Sequence, residues 1–441
     1  MRTADLGTEP IGRLLWGASF QTTMSVATYG IYSLTNAWFV SRGVGPVAFA
    51  AVNLASPLLI VLAAVASTVG AGGASLVSRN LGLGDAGGAA RAAGNAFLVF
   101  WAAAVTVTVV GILALGPMLT LLGATGATRA YAYDYGLIIL AGSVTATGFS
   151  SLVRAEGRMA FATMLWAVPV AVQILLDPLL IFGFDLGVRG AALGTIGGQS
   201  VSAGMSMWFF FVQRNRPYRI RPADLRPHGP TLREIAAIGS PSFLSGLGIT
   251  LLTALANRLL IDVGGPVALG AFALCNRIGT FVLMPQNGVA LALQPITGFN
   301  AGRGRPDRVR RALRLSLAAT VTYGLVASTL ILICATPLIA LFTDDPATRA
   351  VAHHALLVLA FVYPPTGVAL LVSAYFQSLG RPWASYLLVV GAVIAVKIPL
   401  LLVFGRIGEL GIYLSLPLGE LVTAGLALWL LRRSRAQDRP S

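Results

Sequence analysis

Polar and charged residues gather into short clusters along this 441-residue chain. Between them run apolar stretches long enough to cross a hydrocarbon core of roughly 30 Å as helices. Twelve are legible, at about 11–40, 47–78, 90–122, 131–153, 160–183, 188–213, 234–262, 267–297, 311–341, 350–377, 383–405 and 408–431. Some exceed what one span requires, which predicts tilt or a break. The longest polar stretch, 214–232, is rich in arginine and contains four prolines. It leaves six apolar stretches on either side. The pattern therefore divides the chain into an amino-terminal lobe at 1–213, a linker at 214–232 that proline stiffens, and a carboxy-terminal lobe at 233–441 ending in a short basic tail.

The two halves repeat one another about 220 positions apart. Asn80, Gly82, Gly84, Arg91 and Ala92 return as Asn300, Gly302, Gly304, Arg311 and Ala312. Pro46-Val-Ala-Phe-Ala-Ala returns as Pro266-Val-Ala-Leu-Gly-Ala. Past a one-residue slip, Pro178, Gly187 and Gly190 match Pro399, Gly408 and Gly411. An even number of spans per copy gives both copies the same orientation. The expected fold is an all-α polytopic membrane protein of twelve transmembrane helices, in two six-helix lobes related by a pseudo-two-fold axis along the membrane normal. Such a duplication in a membrane points to a transporter whose lobes rock about a central cavity.

Composition agrees, with 56% hydrophobic and only 11% charged residues. The net charge of +15 is concentrated on alternate loops, notably at 214–233, 303–314 and 432–439. That is the positive-inside pattern of a cytoplasmic membrane protein with both termini in the cytoplasm. It does not point to nucleic acid, since no compact basic domain with interleaved aromatics is present. Arg-rich inner loops also suit anionic lipid. Cys275 and Cys334 fall within spans and suggest no disulfide or metal site, and the first apolar stretch reads as a retained helix.

Charges inside a span are costly and mark function by default. Asp177 lies in the fifth span, followed by Pro178, which should bend the helix beside the carboxylate. A carboxyl so placed can be tuned to take up and release a proton. Gln173 sits one turn earlier on the same face. Tyr29, Tyr32, Ser33 and Asn36 form a polar stripe in the first span, which could equally be helix-packing glue. In the second half Lys397, the only lysine, precedes Pro399, the counterpart of Pro178. Glu420 and Arg277 are the other candidates there. Lys397 and Glu420 could form a structural ion pair, or the cations could line a cavity for an anion. Asn257, Asn276, Gln286, Asn287 and Gln294 add hydrogen-bonding groups. HExxH, GxSxG and paired mid-membrane carboxylates are absent, which argues against an enzyme.

Several strings resemble those of the multidrug and toxic compound extrusion (MATE) family. They are Asn36-Ala-Trp-Phe-Val-Ser-Arg-Gly-Val-Gly, Ser78-Arg-Asn-Leu-Gly-Leu-Gly-Asp, the Leu-Asp-Pro-Leu-Leu-Ile core at Leu176, Gly187-Val-Arg-Gly-Ala-Ala, Met284-Pro-Gln-Asn-Gly and Gln294-Pro-Ile-Thr-Gly-Phe-Asn-Ala-Gly. The resemblance implies a twelve-helix antiporter that exports amphipathic, often cationic, organic compounds in exchange for protons or sodium. It matches Asp177 to the cation-site aspartate of the fifth helix, with Gln173 where asparagine is frequent and Thr195 as a sixth-helix partner. Asn36 stands where the family usually has an acid, with Tyr32 one turn earlier. The tenth span, through Tyr363, Tyr375 and Gln377, lacks the aspartate another branch uses. Coupling through Asp177 alone, to protons, is therefore expected, since one acid flanked by amides makes a weak sodium site.

The candidate substrate cavity comprises Tyr29, Asn257, Asn276, Arg277, Gln286, Lys397 and Glu420. No cofactor beyond the coupling ion is expected, and a monomer suffices because one chain supplies both lobes. The rival expectation is a flippase for a lipid-linked or other anionic precursor, motivated by Arg277 and Lys397.

Overall fold

The computed structural model describes residues 3–146 and 149–437, and every regular element among them is helical. The main helices are α1 (Ile11–Gly43), α2 (Pro46–Leu83), α3 (Ala86–Leu121), α4 (Gly126–Ala141), α5 (Met159–Pro178) and α6 (Gly187–Met207). They continue with α7 (Gly229–Gly302), α8 (Pro306–Ala340), α9 (Pro346–Leu359), α10 (Tyr363–Ser378), α11 (Ile398–Gly405) and α12 (Glu409–Gln437). Among the described residues eight helices are long and apolar enough to cross a membrane, or nine when Gly126–Ala141 and Ser143–Ala155 count as one bent span. The 74-residue α7 is two spans joined at Gly265, whose φ of 65° breaks the helix. α1 and α6, rich in Gly, Ser and Thr, stand out less by hydropathy and complete the twelve. The protein is an all-α polytopic membrane protein.

The sequence repeat is written into the backbone. At the end of α2, Gly84 takes φ 80°, its N–H donates to Leu81 O (3.2 Å) and the next N–H, of Asp85, donates to Asn80 O (2.9 Å). At the end of α7, Gly304 takes φ 66°, with bonds to Ala301 O (3.1 Å) and from Arg305 N to Asn300 O (2.9 Å). Both are left-handed helix stops that satisfy the last carbonyls, a conformation glycine adopts without strain. The helix starts have diverged. The Asp85 side chain caps α3 by accepting from Gly88 N, whereas Arg305 provides no such cap for α8.

By internal packing the chain forms two units. Unit 1 comprises the residues up to Thr8 together with Met24–Ser240, and unit 2 comprises Glu9–Thr23 with the residues from Pro241 onward. The sequence placed the boundaries at 213 and 233 and left α1 whole. Two close helix crossings account for the difference. In unit 1 a Cβ on Gly72 would lie 2.1 Å from Ile235 O, and one on Gly239 would lie 1.9 Å from Thr68 O. The start of α7 is thus locked backbone to backbone against α2. In unit 2 a Cβ on Gly288 would meet the Thr23 backbone N at 2.8 Å, and the Thr22 hydroxyl donates to Gly288 O (2.6 Å). Without a hydrophobic driving force between helices in lipid, such close approach at small residues supplies the attraction.

In unit 1 the small start of α3 (Ala89, Ala90, Ala92, Ala93, Ala96) admits a buried aromatic cluster of Phe97, Phe100, Phe149, Phe209 and Phe210. The core of unit 2 gathers Phe272, Cys275 and Ile278 of α7 with Leu356 and Tyr363. Large apolar side chains such as Leu113, Leu121, Leu175 and Ile333 point outward, as lipid contact allows.

The linker is docked on unit 1. The Arg216 guanidinium is buried, pairs with the fully buried Glu156 and donates to Phe210 O. It lies 4.5–4.8 Å from the centroids of Phe209, Phe210 and Tyr218. Burial, and then the Glu156 carboxylate, push the Tyr218 hydroxyl well above its ordinary range, so it keeps its proton. Asn95 on α3 donates to Asp224 O and Arg226 O and accepts from His228 N.

Candidate functional site

α5 places Asp177 in its last turn, 1% exposed. Pro178 cannot donate to the carbonyl one turn back, and beyond it the chain continues as a wider π turn over Leu179–Gly183. The bend expected from the sequence takes this form.

Gln173, one turn earlier and buried, points its Nε2 at Asp177 Oδ2 and at the Thr195 hydroxyl, each 3.3 Å away. Thr195, on α6, donates in turn to Ala191 O (3.1 Å). Asn36, on α1, is buried and directed at the same carboxylate. Yet Asn36 Nδ2 and Asp177 Oδ1 both lack a hydrogen-bond partner within normal distance. Tyr32 is half-buried one turn before Asn36. The structure thus assembles Asp177, Gln173, Thr195 and Asn36 from three helices around one carboxylate, with one amide shared between two acceptors and one carboxylate oxygen unclaimed. The side chains of Tyr29 and Ser33 lie outside the described residues.

Three glycines pack this site, of which the sequence marks Gly190 only as a repeat position and does not single out Gly194 or Gly198. A Cβ on Gly194 would sit 2.1 Å from Asp177 Oδ1, one on Gly190 would sit 2.9 Å from Leu180 O, and one on Gly198 would sit 2.7 Å from Pro169 O. Their four-residue spacing puts them on one face of α6, pressed along α5. The signal was there in the string Gly-x-x-x-Gly-x-x-x-Gly.

The candidates of unit 2 separate into different environments. Lys397 ends a π-helical segment, Val393–Lys397, and pairs with Glu420 at 2.5 Å, the two side chains 19% and 16% exposed. Gln286, expected on the cavity wall, departs from that reading. It is fully buried and donates to Tyr363 O (2.9 Å), a helix-packing bond. Asn257 is half-buried, and Asn276 and Arg277 are exposed.

A duplicated set of membrane-crossing helices, with one buried acid at a proline-induced break, defines a membrane transporter rather than an enzyme. The MatE family profile matches residues 22–179 and 241–403, and the chain belongs to that family of multidrug efflux transporters. It is 26% identical over 433 residues to the FAD transporter of Shewanella oneidensis, covering 96% of this chain and 95% of that protein. It is also 26% identical over 413 residues to the multidrug export protein MepA of Staphylococcus aureus, covering 91% of this chain and 90% of that protein. Among solved structures, a transporter of the MOP superfamily from Pyrococcus furiosus, described as having a binding pocket of reversed polarity, superposes with a TM-score of 0.93 at 24% identity, covering 100% of this chain and 99% of that one. An outward-facing MATE multidrug resistance transporter gives 0.92 at 24% identity, over 99% and 98%.

Proposed function

We propose that this protein is a secondary antiporter of the cytoplasmic membrane that exports amphipathic organic compounds by alternating access, driven by protons that bind Asp177. The observation that carries this reading is the buried carboxylate with one amide donor on one oxygen and the other oxygen unclaimed. Ionised, it holds one of the two Gln173 N–H groups, the other going to Thr195. Protonated, it holds that N–H less tightly and gains a proton of its own to donate, which loosens the tie from Asp177 through Gln173 to Thr195 on α6. Protonation therefore changes the bonding between α5 and α6 at the place where α5 is already broken. A proton that prefers one arrangement of these helices shifts the population toward it, as coupling requires. Asn36, as an amide, supplies no second charge, so one carboxylate carries one proton per cycle.

The multidrug export activity in the name of the Staphylococcus relative supports organic substrates. The FAD transporter of Shewanella extends the range to an anionic one. One chain supplies both units, so a monomer suffices, and the arginine-rich linker and tail support a cytoplasmic location for both termini.

The test is transport by purified protein in proteoliposomes under an imposed pH gradient and, separately, an imposed sodium gradient, using ethidium and a flavin as fluorescent probes. Movement driven by the pH gradient alone, and lost in Asp177→Asn, is expected. Transport by the variant equal to wild type, or transport driven by sodium alone, would overturn the proposal.

A further inference from the structure

We propose that the second span of α7 carries an anion-recognising wall with Arg277 as its cation, so that the exported compounds are amphipathic anions bearing a phosphate, carboxylate or sulfonate. This names the substrate class and rests on the transport reading above.

Burial along this span is one-sided. Phe272, Cys275 and Ile278 are buried in the core of unit 2, while Asn276, Arg277, Thr280 and Asn287 are exposed. These four recur at helical spacing and share a face. Arg277 is twelve residues past the Gly265 break, about 18 Å along the helix, well inside the span. A face turned to lipid tails would be apolar. One arginine there is costly, though a single long side chain can escape by reaching toward the interface. Asn276, Thr280 and Asn287 cannot, and they extend the polar face from beside Arg277 to about 15 Å beyond it along the helix. The face therefore meets water.

The positive charge on this wall is unspent. Lys397 is held by Glu420, and Arg258 by Asp262 at 3.4 Å. Among the described residues Arg277 has no acidic partner. Thr280 gives its proton to Asn276 O and Asn287 spends one of its two amide hydrogens on Leu283 O, so the Arg277 fork and the Asn276 amide beside it are the principal donors of the face. A planar guanidinium with a neighbouring amide suits a two-oxygen anionic head. The apolar remainder of such a compound suits the Phe281 side chain, exposed on the same helix.

Flavin mononucleotide and riboflavin share a ring system and differ by one phosphate, so their binding to purified protein, followed by flavin fluorescence, isolates the anionic head. Wild type is expected to bind the mononucleotide about tenfold more tightly, the scale of one charge-assisted contact. Arg277→Gln should bring the ratio near one with riboflavin affinity unchanged, and Arg277→Lys should restore part of it. Equal affinities in wild type, or a preference that persists in Arg277→Gln, would overturn the inference. Wild-type proteoliposomes under a pH gradient separate the two readings. A flavin preference without movement of ethidium or either flavin sinks the transport reading and leaves the anion site. Movement without preference does the reverse.

Discussion

A side chain at position 194 has no room, because the space its Cβ would fill is 2.1 Å from the Asp177 carboxylate. Gly194→Ala should displace that carboxylate and reduce pH-driven transport to the level of Asp177→Asn, although it touches no ionisable group. Gly204 lies in the same helix with nothing within 4 Å of its Cβ position. There the same change should leave transport intact and stabilise the helix by up to about 1 kcal/mol. Transport assays with expression levels matched by gel filtration check both. Asp177 was legible because an intramembrane acid next to proline is rare and costly. Gly194 was not singled out, because a glycine declares its role only through the neighbour it admits. Gln286 misled for the converse reason, since an amide in a span serves a cavity or a neighbouring carbonyl equally well until the packing is known.

Among the elements, the proline-linked break in α5 was expected as a bend and took the form of a π turn, and the π-helical Val393–Lys397 before Pro399 was not foreseen. Proline removes a donor, and whether the chain answers by kinking or widening depends on what packs beside it. The start of α9 offers a local test. Asp345 Oδ2 accepts from the Thr348 hydroxyl (2.5 Å) and from Thr348 N (2.8 Å), and these bonds hold its pKa below the usual carboxylate range. A lowered folded pKa contributes stability above the unfolded value, lost as pH falls through the folded one. Asp345→Ala should therefore speed amide hydrogen exchange across the first turn of α9 at neutral pH, and Asp345→Asn should preserve most of the protection. Wild type should approach the alanine variant only on acidification below the ordinary aspartate range.

At the scale of the whole molecule, the twelve spans and the repeat were legible because lipid imposes length and apolarity on every crossing, and because a duplicated glycine stop leaves the same letters twice. The docked linker was not. Its prolines and arginines read as a stiff solvated tether, whereas Arg216 is sealed beneath aromatic rings with Glu156, a partner sixty residues away in sequence. Removing one member of such a buried pair strands the other charge. Glu156→Gln should cost about 3–5 kcal/mol, measured as a fall in thermal stability in detergent. It should also hasten tryptic cleavage between 214 and 226, since every arginine remains while the anchor is gone.

The packing units bear on any attempt to divide the gene. Neither is a single run of chain, because Glu9–Thr23 belongs with the residues from Pro241 onward and the linker belongs with those before it. A carboxy-terminal fragment made on its own would lack the Thr22 hydroxyl that occupies Gly288 O. An amino-terminal fragment stopped at residue 213 would leave Glu156 without its guanidinium. Two open reading frames split at the linker would have to be translated together and each complete the other, so fragment complementation, not independent folding of the halves, is the behaviour this architecture dictates.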